Sequence, residues 1–455
     1  MTKRRKLGTL AGALVFWYIT QNTVMAGTAW FGVSPDNSRD FVIDVINSTR
    51  KELLINIYEF KHPAIRDAVI NLINKNKSIT VQILVEGQPY STPGQTHSPM
   101  RPETRDALKA IQAAMDKSGN PKSTVFIMYA KDETKRRFVY DHAKYMVVDL
   151  ARVYVSSENF SPSTMPKAES IGNRGWHVFI EDKALVKNII SMFKEDSNPK
   201  EADIVDLRTE NFPPTPGTAT PPKADRPRDQ ESFPRGKGTA VADDVITSPG
   251  SDKGLVELIE SANHSVDIEF ASLPSSWKVD GKFVNNPVFQ ALLDVAKKKV
   301  KVRLLLNDDE AWGPLPVLRR QNLRAACFAQ RIASGYKLPL TAKIVDVNKV
   351  GITYIHNKGM IIDNERVLVS SINGTKNSMK NNRELGIVLD SPDAADYYGE
   401  VFDYDWAESG KLDFKICEEF RKKPDDDEED GGGNAAFLTV PGDQYLAAIF
   451  QLNPL

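Results

Sequence analysis

The chain carries one short pattern twice, and that repeat restricts its architecture more than any other feature. His142, Lys144 and Asp149 close the segment YDHAKYMVVD, and His356, Lys358 and Asp363 close YIHNKGMIID. Both read HxKxxxxD, and after the same gap both continue into Ser-Ser-x-Asn, as Ser156 to Asn159 and Ser370 to Asn373. A single His with a Lys two residues on is a common surface or core accident. Two copies with the same continuation, each inside an apolar run, imply a duplicated half-site. In it two imidazoles, two ammonium groups and two carboxamides face one another.

The elements around the two copies run in the same order. Helical apolar spacing marks Asp40 to Asn47 and Gly254 to Ala262. Strand-like Leu53 to Phe60 answers to Val266 to Ser272, the helix from Ala64 to the one from Val288, and Ile79–Val85 to Val300–Leu306. Thr124–Ala130 and Thr341–Val347 precede the motif segments, and a short strand after each motif reads as a hairpin partner. Near-continuous Val/Ile/Leu strands interleaved with helices argue a sheet covered on both faces. A repeat of so long a period means a duplicated domain, not a solenoid. The expected fold is α/β: two duplicated α-β-α sandwich halves with mixed sheets, packed side by side, with the active site at their interface.

At 455 residues the chain exceeds one ordinary core. Lys3 to Lys6 are basic, Leu7 to Ile19 are apolar, and small residues end at Ala26, the pattern of an export signal cut before Gly27. The apolar run is short for a membrane span, which needs about 20 residues, and an uncleaved membrane anchor is the lesser alternative. Cleavage would move the formal charge from −1 to about −5. The expected organisation is a signal peptide (1–26), a first half (27–205), a Pro-rich linker (206–245), a second half (246–422) and an acidic, Gly-rich tail (423–455). The prolines between Asn211 and Gly238, with few apolar residues, read as an extended tether, with a lid over the site as the alternative. Cys327 and Cys417 permit a disulfide in an exported chain but equally stand as two thiols.

A pocket with two His, two Lys and two Asn is rich in donors and positive, which suits a phosphate. There is no Gly-rich phosphate loop and no cluster of metal-ligating carboxylates in the sequence pattern, so the attacking group is expected to be a side chain. A neutral His can attack phosphorus and form a phosphoryl-enzyme. A second, protonated His can donate to the leaving oxygen and later take a proton from water. Lys144, Lys358, Asn159 and Asn373 would hold the phosphate oxygens. The second motif is followed by Asn382-Arg383-Glu384, the first by Asn173-Arg174-Gly175. Glu384 is therefore expected to be the only carboxylate at that place, orienting whichever His attacks.

The paired HxKxxxxD and SxN motifs, the Asn-Arg-Glu segment and a late Phe402-Asp403-Tyr404-Asp405-Trp406 resemble the phospholipase D superfamily, over about Trp30 to Ser409. The resemblance implies the bilobal fold, a two-step phosphohistidine mechanism without a cofactor or metal, His142 as nucleophile and His356 as general acid/base. It also implies that Asp149 and Asp363 are structural. Each lies five residues beyond its Lys and is expected on the strand face opposite the HxK pair.

The expected reaction is hydrolysis or phosphatidyl transfer on phospholipids, with transient membrane-surface contact, by an exported monomer. A secreted nuclease acting on single strands is the alternative, and an inactive binding scaffold a third. A positive stacking groove from Lys131 to Arg137, with Tyr140 and Tyr354 nearby, would serve the nuclease, unless that stretch is only a solvated loop. Arg319, Arg320 and Arg324 raise the same alternative. Trp176 and His177 read as core and rim residues.

Overall fold

The structure, a computed structural model, describes residues 26–422 apart from 93, 94, 210–214, 216, 222–224, 231, 281 and 312. The export signal up to residue 25 and the acidic tail from 423 lie outside the described residues. In chain order the first half gives β1 (Gly27–Ser34), β2 (Glu52–Ile57), β3 (Thr80–Glu86), a small hairpin of β4 (Tyr90–Thr92) and β5 (Gln95–Ser98), and β6 (Thr124–Met128). Then come β7 (Tyr145–Val148), β8 (Arg152–Ser156), β9 (Gly175–Ile180) and β10 (Ile204–Asp206). The second half gives β11 (Gly236–Ser248), β12 (Ser265–Phe270), a hairpin of β13 (Ser276–Val279) and β14 (Lys282–Asn285), and β15 (Lys301–Leu306). It ends with β16 (Leu340–Ile344), β17 (Lys358–Ile362), β18 (Arg366–Ser370) and β19 (Glu384–Asp390).

Apart from the two small hairpins, these strands form one mixed sheet in the order β10-β6-β3-β2-β7-β8-β9-β1-β11-β19-β18-β17-β12-β15-β16. With β10 set aside, the order reads the same from both ends once each strand is exchanged for its repeat counterpart. The pseudo-two-fold lies between β1 and β11, which pair antiparallel from Gly27↔Ala240 to Phe31↔Gly236. The two duplicated α/β halves with mixed strands lie side by side as expected, and their sheets join edge to edge into one. The lead strand of each half has an edge left over, and the two edges satisfy each other.

Helices Ser38–Asn47, Pro63–Lys75 and Pro102–Ser118 cover one outer face around Phe41, Ile65 and Leu108. Pro287–Lys297 and Gln321–Tyr336 do the same in the second half. A third core belongs to both halves: Val153, Trp176 and Val178 meet Val367, Leu385 and Tyr398 there. The last helix of each half, Lys183–Asp196 and Pro392–Glu408, packs into it. Both helices start on a side-chain cap, Asp182 accepting from Leu185 N and Ser391 from Ala394 N.

Part of the Pro-rich interval is fastened to the fold. Arg226 O accepts from Ile171 N at 2.8 Å, and Arg228 N donates to Glu169 O at 2.9 Å. Arg228 is buried and pairs with Asp36 at 2.5 Å, Phe233 is buried in the shared core, and β11 already starts at Gly236. One arginine and one aromatic ring are enough to strap a segment of otherwise polar composition. Cys327 and Cys417 form a disulfide joining Gln321–Tyr336 to Phe414–Lys422. Among the described residues no helix is long and apolar enough to cross a membrane.

Candidate active site

His142 and His356 sit just ahead of β7 and β17, at the same place in the two halves. The backbone before each motif pairs with the Asn-Arg segment of the other half. His142 N donates to Arg383 O and Arg383 N to Tyr140 O, both at 2.8 Å; His356 N donates to Arg174 O at 2.8 Å and Arg174 N to Tyr354 O at 2.9 Å. The two arginines lock this exchange. Arg174 reaches Asp405 at 2.6 Å and Asp36 at 2.9 Å, and Arg383 reaches Asp196 at 2.8 Å. Asp405 and Asp196 lie on the last helix of the opposite half from the arginine they hold. The late Asp-Trp segment is thus a clamp on the first half.

The imidazoles are oriented by crossed carboxylates. His142 Nδ1 lies 2.8 Å from Glu384 Oε2, and His356 Nδ1 lies 3.0 Å from Glu158 Oε2. The expectation of a lone carboxylate is corrected here. Glu158 stands where the second copy has Ile372, and Gly175 where it has Glu384. A Cβ at Gly175 would come 2.4 Å from Glu158 Cγ, so this glycine is the space the displaced carboxylate needs. Reading those two differences between the copies together was the available signal.

The two carboxylates are not equivalent. Glu384 accepts from Ser371 and Ser378 Oγ at 2.6 Å and from Asn382 Nδ2 at 3.0 Å as well as facing His142. Burial works to raise its pKa, but His142, Lys144 and Asn382 together hold the carboxyl below its usual range. Glu158 Oε1 has no hydrogen-bond partner among the described residues. Burial pushes its carboxyl up to about 8, against the pull of Lys358 and Lys144. Burial also lowers His142 to about 4 despite Glu384, and lowers His356 well below the ordinary value, helped by Lys358 and Lys144.

Lys144 and Lys358 are buried, and each ammonium donates to the backbone oxygen of its own motif His, Lys144 at 2.6 Å. Burial brings Lys144 down to about 8 and Lys358, with Lys144 as neighbour, to about 7. Asn159 is buried with Oδ1 unpartnered among the described residues, and Asn373 follows Ser371 with its backbone N on Ser378 Oγ at 2.9 Å. Tyr58, which the sequence pattern did not single out, lies edge-on to His142 at 4.8 Å, and Tyr354 lies 5.6 Å from His356.

Asp149 and Asp363 are away from this pocket, though not for the expected reason of strand parity. Both lie beyond the strand, in the hairpin turn. Asp149 accepts from the backbone N of Arg50, Lys51 and Glu52, and Asp363 from that of Asn263, His264 and Ser265. The basic stretch is not an open groove either. Arg136 is buried against both oxygens of Glu86, and Arg137 pairs with Asp203 at 2.8 Å. Arg320 pairs with Glu310 at 2.6 Å, and Arg324 NH2 donates to Leu318 O at 2.6 Å. Trp176 and His177 are both fully buried, His177 bonded to Ser34, Tyr154 and Ser156. Among the described residues no three His, Cys, Asp or Glu side chains are grouped to hold a metal ion.

Residues 42–197 and 255–406 match the family model described as cardiolipin synthase, PLD-like domain. The fold is similar to that of the phosphatidylserine synthase of Haemophilus influenzae Rd KW20, with TM-score 0.60 and 13% identity over 84% of this chain and 87% of that one. A phospholipase D family member, Nuc from Salmonella typhimurium, aligns at 19% identity over 40% of this chain and 98% of that one, with TM-score 0.30. No curated protein matches the sequence.

Proposed function

We propose, for a chain that belongs to the phospholipase D superfamily through its two matched PLD-like domains, that it cleaves or exchanges phospholipid head groups through a phosphohistidine on His142. The observation that carries this reading is the crossed pair of carboxylates. Each holds the Nδ1 of the opposite half's histidine, which leaves both Nε2 atoms for the phosphate.

The inequality of the carboxylates divides the labour. Ionised Glu384 accepts the Nδ1 proton of His142, so its Nε2 keeps a free lone pair and attacks phosphorus. Protonated Glu158 donates to Nδ1 of His356, so that ring carries its own proton on Nε2. As the bond from phosphorus to the leaving oxygen breaks, Nε2 of His356 gives that oxygen its proton, and the Glu158 proton passes to Nδ1. Water or an alcohol then loses a proton to Nε2 of His356 and attacks phosphorus, breaking the bond to His142. Lys144, Lys358, Asn159 and Asn373 would neutralise the oxygens throughout. The chemistry asks nothing of a metal or cofactor.

The phospholipid-synthase character of the family model and of the similarly folded phosphatidylserine synthase supports a lipid substrate. So does the engagement of Arg136 and Arg137 with buried carboxylates, which takes two of the four cations of that stretch away from a nucleic-acid groove. Export through residues 1–26 belongs to this reading, and the Cys327–Cys417 disulfide fits an oxidising compartment. One chain carries both half-sites, so a monomer touching a membrane surface suffices.

The test offers the protein from Gly27 onward vesicles of phosphatidylcholine or phosphatidylglycerol, with and without glycerol, and single-stranded DNA, all in excess EDTA. Phosphatidic acid or a new phosphatidyl alcohol, absent with His142→Ala, is expected. DNA cleavage that fades with salt, or lipid turnover that EDTA stops, would replace this reading.

A further inference from the structure

A cavity lies well away from the catalytic pocket. It holds about 840 Å³, within the roughly 300–1,000 Å³ of ligand pockets, and lies between the starts of β15 and β16 and the end of helix Pro392–Glu408. Lys301 pairs with Ser265 at the start of β12, whereas Phe270 at its other end pairs with the catalytic Lys358. The cavity therefore stands about five strand residues, roughly 17 Å, from the reacting groups.

Its lining divides by chemistry. Trp406, Leu412 and Phe414 supply apolar walls, and Phe414 is 61% exposed. Lys301 and Lys411 are exposed on the rim, and Lys343 is anchored inside by donating to Trp406 O and Ser409 O at 2.7 Å with its ammonium 4.6 Å from the Trp406 ring. Arg303, also in the wall, is spent on Asp267 and Asp403, so the lysines set the charge.

The repeat shows that this space is particular to the second half. By strand register Lys343 corresponds to Phe126, which packs into the shared core. The edge of β6 beside Phe126 is closed by β10, with Asp206 opposite Phe126. Among the described residues after Pro392–Glu408 no strand pairs with β16; Lys411, Leu412 and Phe414 border the opening. An aromatic of the first half is thus a lysine in the second, beside an edge that no described strand covers.

We propose that this cavity binds a single-chain anionic amphiphile, a long-chain carboxylate, with its tail along Trp406, Leu412 and Phe414 and its head on Lys301, Lys343 and Lys411. The apolar walls demand a hydrocarbon, and the positive rim selects an anion over a neutral or cationic head. The site stands independently of the phosphodiesterase reading.

The experiment titrates the full chain with dibromostearate, below its micelle concentration, because bromine quenches indole fluorescence on contact. Saturable quenching is expected, at least tenfold weaker with the corresponding brominated alcohol and at least fivefold weaker in Lys301→Glu/Lys411→Glu, two exposed positions that the fold tolerates. Trp406→Phe should lose most of the quenching while calorimetry still shows binding, and His142→Ala should bind as wild type. Equal response to acid and alcohol, indifference to the charge reversals, or loss of binding in His142→Ala would each overturn the proposal.

Discussion

Glu384 meets four donors while Glu158 has an oxygen with none, and in the proposed mechanism that difference assigns the histidines their roles. With natural lipid, Glu158→Gln should reduce kcat about 10²–10⁴-fold, the range of a lost general acid. With a p-nitrophenyl phosphodiester, whose leaving group needs no proton, the same variant should still release a burst of nitrophenolate. Glu384→Gln should lose turnover and burst on both substrates, and an equal effect of the two variants would remove the assignment. A second consequence concerns pH. The lysine pKa values are lowered and that of Glu158 is raised, so the empty pocket loses net positive charge as pH rises through about 7 and then about 8. Vanadate, an anion of phosphate geometry, should then bind about tenfold or more weakly at pH 9 than at pH 6.5, with proton uptake visible as buffer-dependent heat. A flat profile would mean that neither the lysines nor Glu158 change charge over this range. The His, Lys and Asn of this site are legible in the sequence because each copy vouches for the other. Glu158 is not, because it breaks the repeat: the carboxylate moved from one loop position to another, and only the space at Gly175 records the exchange.

At the scale of elements, the motif aspartates do their work in the turns between β7 and β8 and between β17 and β18. Asp149 and Leu150 have φ of 55° and 53°, Asp363 and Asn364 of 55° and 56°, a left-handed pair at the start of each three-residue hairpin turn. Each carboxylate also gathers three backbone N–H groups at the start of the neighbouring strand, stitching the hairpin to β2 or β12. Asp149→Ala should therefore cost about 2–3 kcal/mol of stability and leave Km nearly unchanged in the folded fraction, as thermal melts with parallel kinetics would show. Leu150, half exposed in a conformation that suits Asn or Gly, is the opposite case. Leu150→Asn, the residue at the matching turn, should gain about 0.5–1 kcal/mol. The hairpins are legible because the strands around them are close in sequence. The face of the aspartates is not, since counting parity stops being valid where a strand ends. The lead strands β1 and β11 escape the pattern for another reason: their glycines and, in β11, Asp243 and Asp244 disguise a sheet centre as loop.

The whole molecule joins what the duplicated pattern describes as two halves. Fold class follows from the repeat itself, but the single sheet does not, because nothing local states that two lead strands will find each other. Three ties cross the pseudo-two-fold: the β1–β11 pairing, the exchanged His–Glu pairs and the clamps of Arg174 on Asp405 and Arg383 on Asp196. The central hydrophobic core draws from both halves, so neither can unfold without exposing it. A chain long enough for two domains should then melt as one. In urea, the loss of phosphodiesterase activity and the change in tryptophan fluorescence should coincide in a single transition, to which Trp176 in the shared core and Trp277 in the outer core of the second half both contribute. Arg174→Met should lower that midpoint by the equivalent of about 3–5 kcal/mol, since it strands Asp405 in the interior and leaves Asp36 with Arg228 alone. Arg383, partly exposed and tied to one aspartate, should cost less when replaced by Met. The variants should shift both probes together. Two resolved transitions, or a wild-type midpoint in Arg174→Met, would mean that the halves hold their folds separately and that the catalytic pocket is only a surface between them.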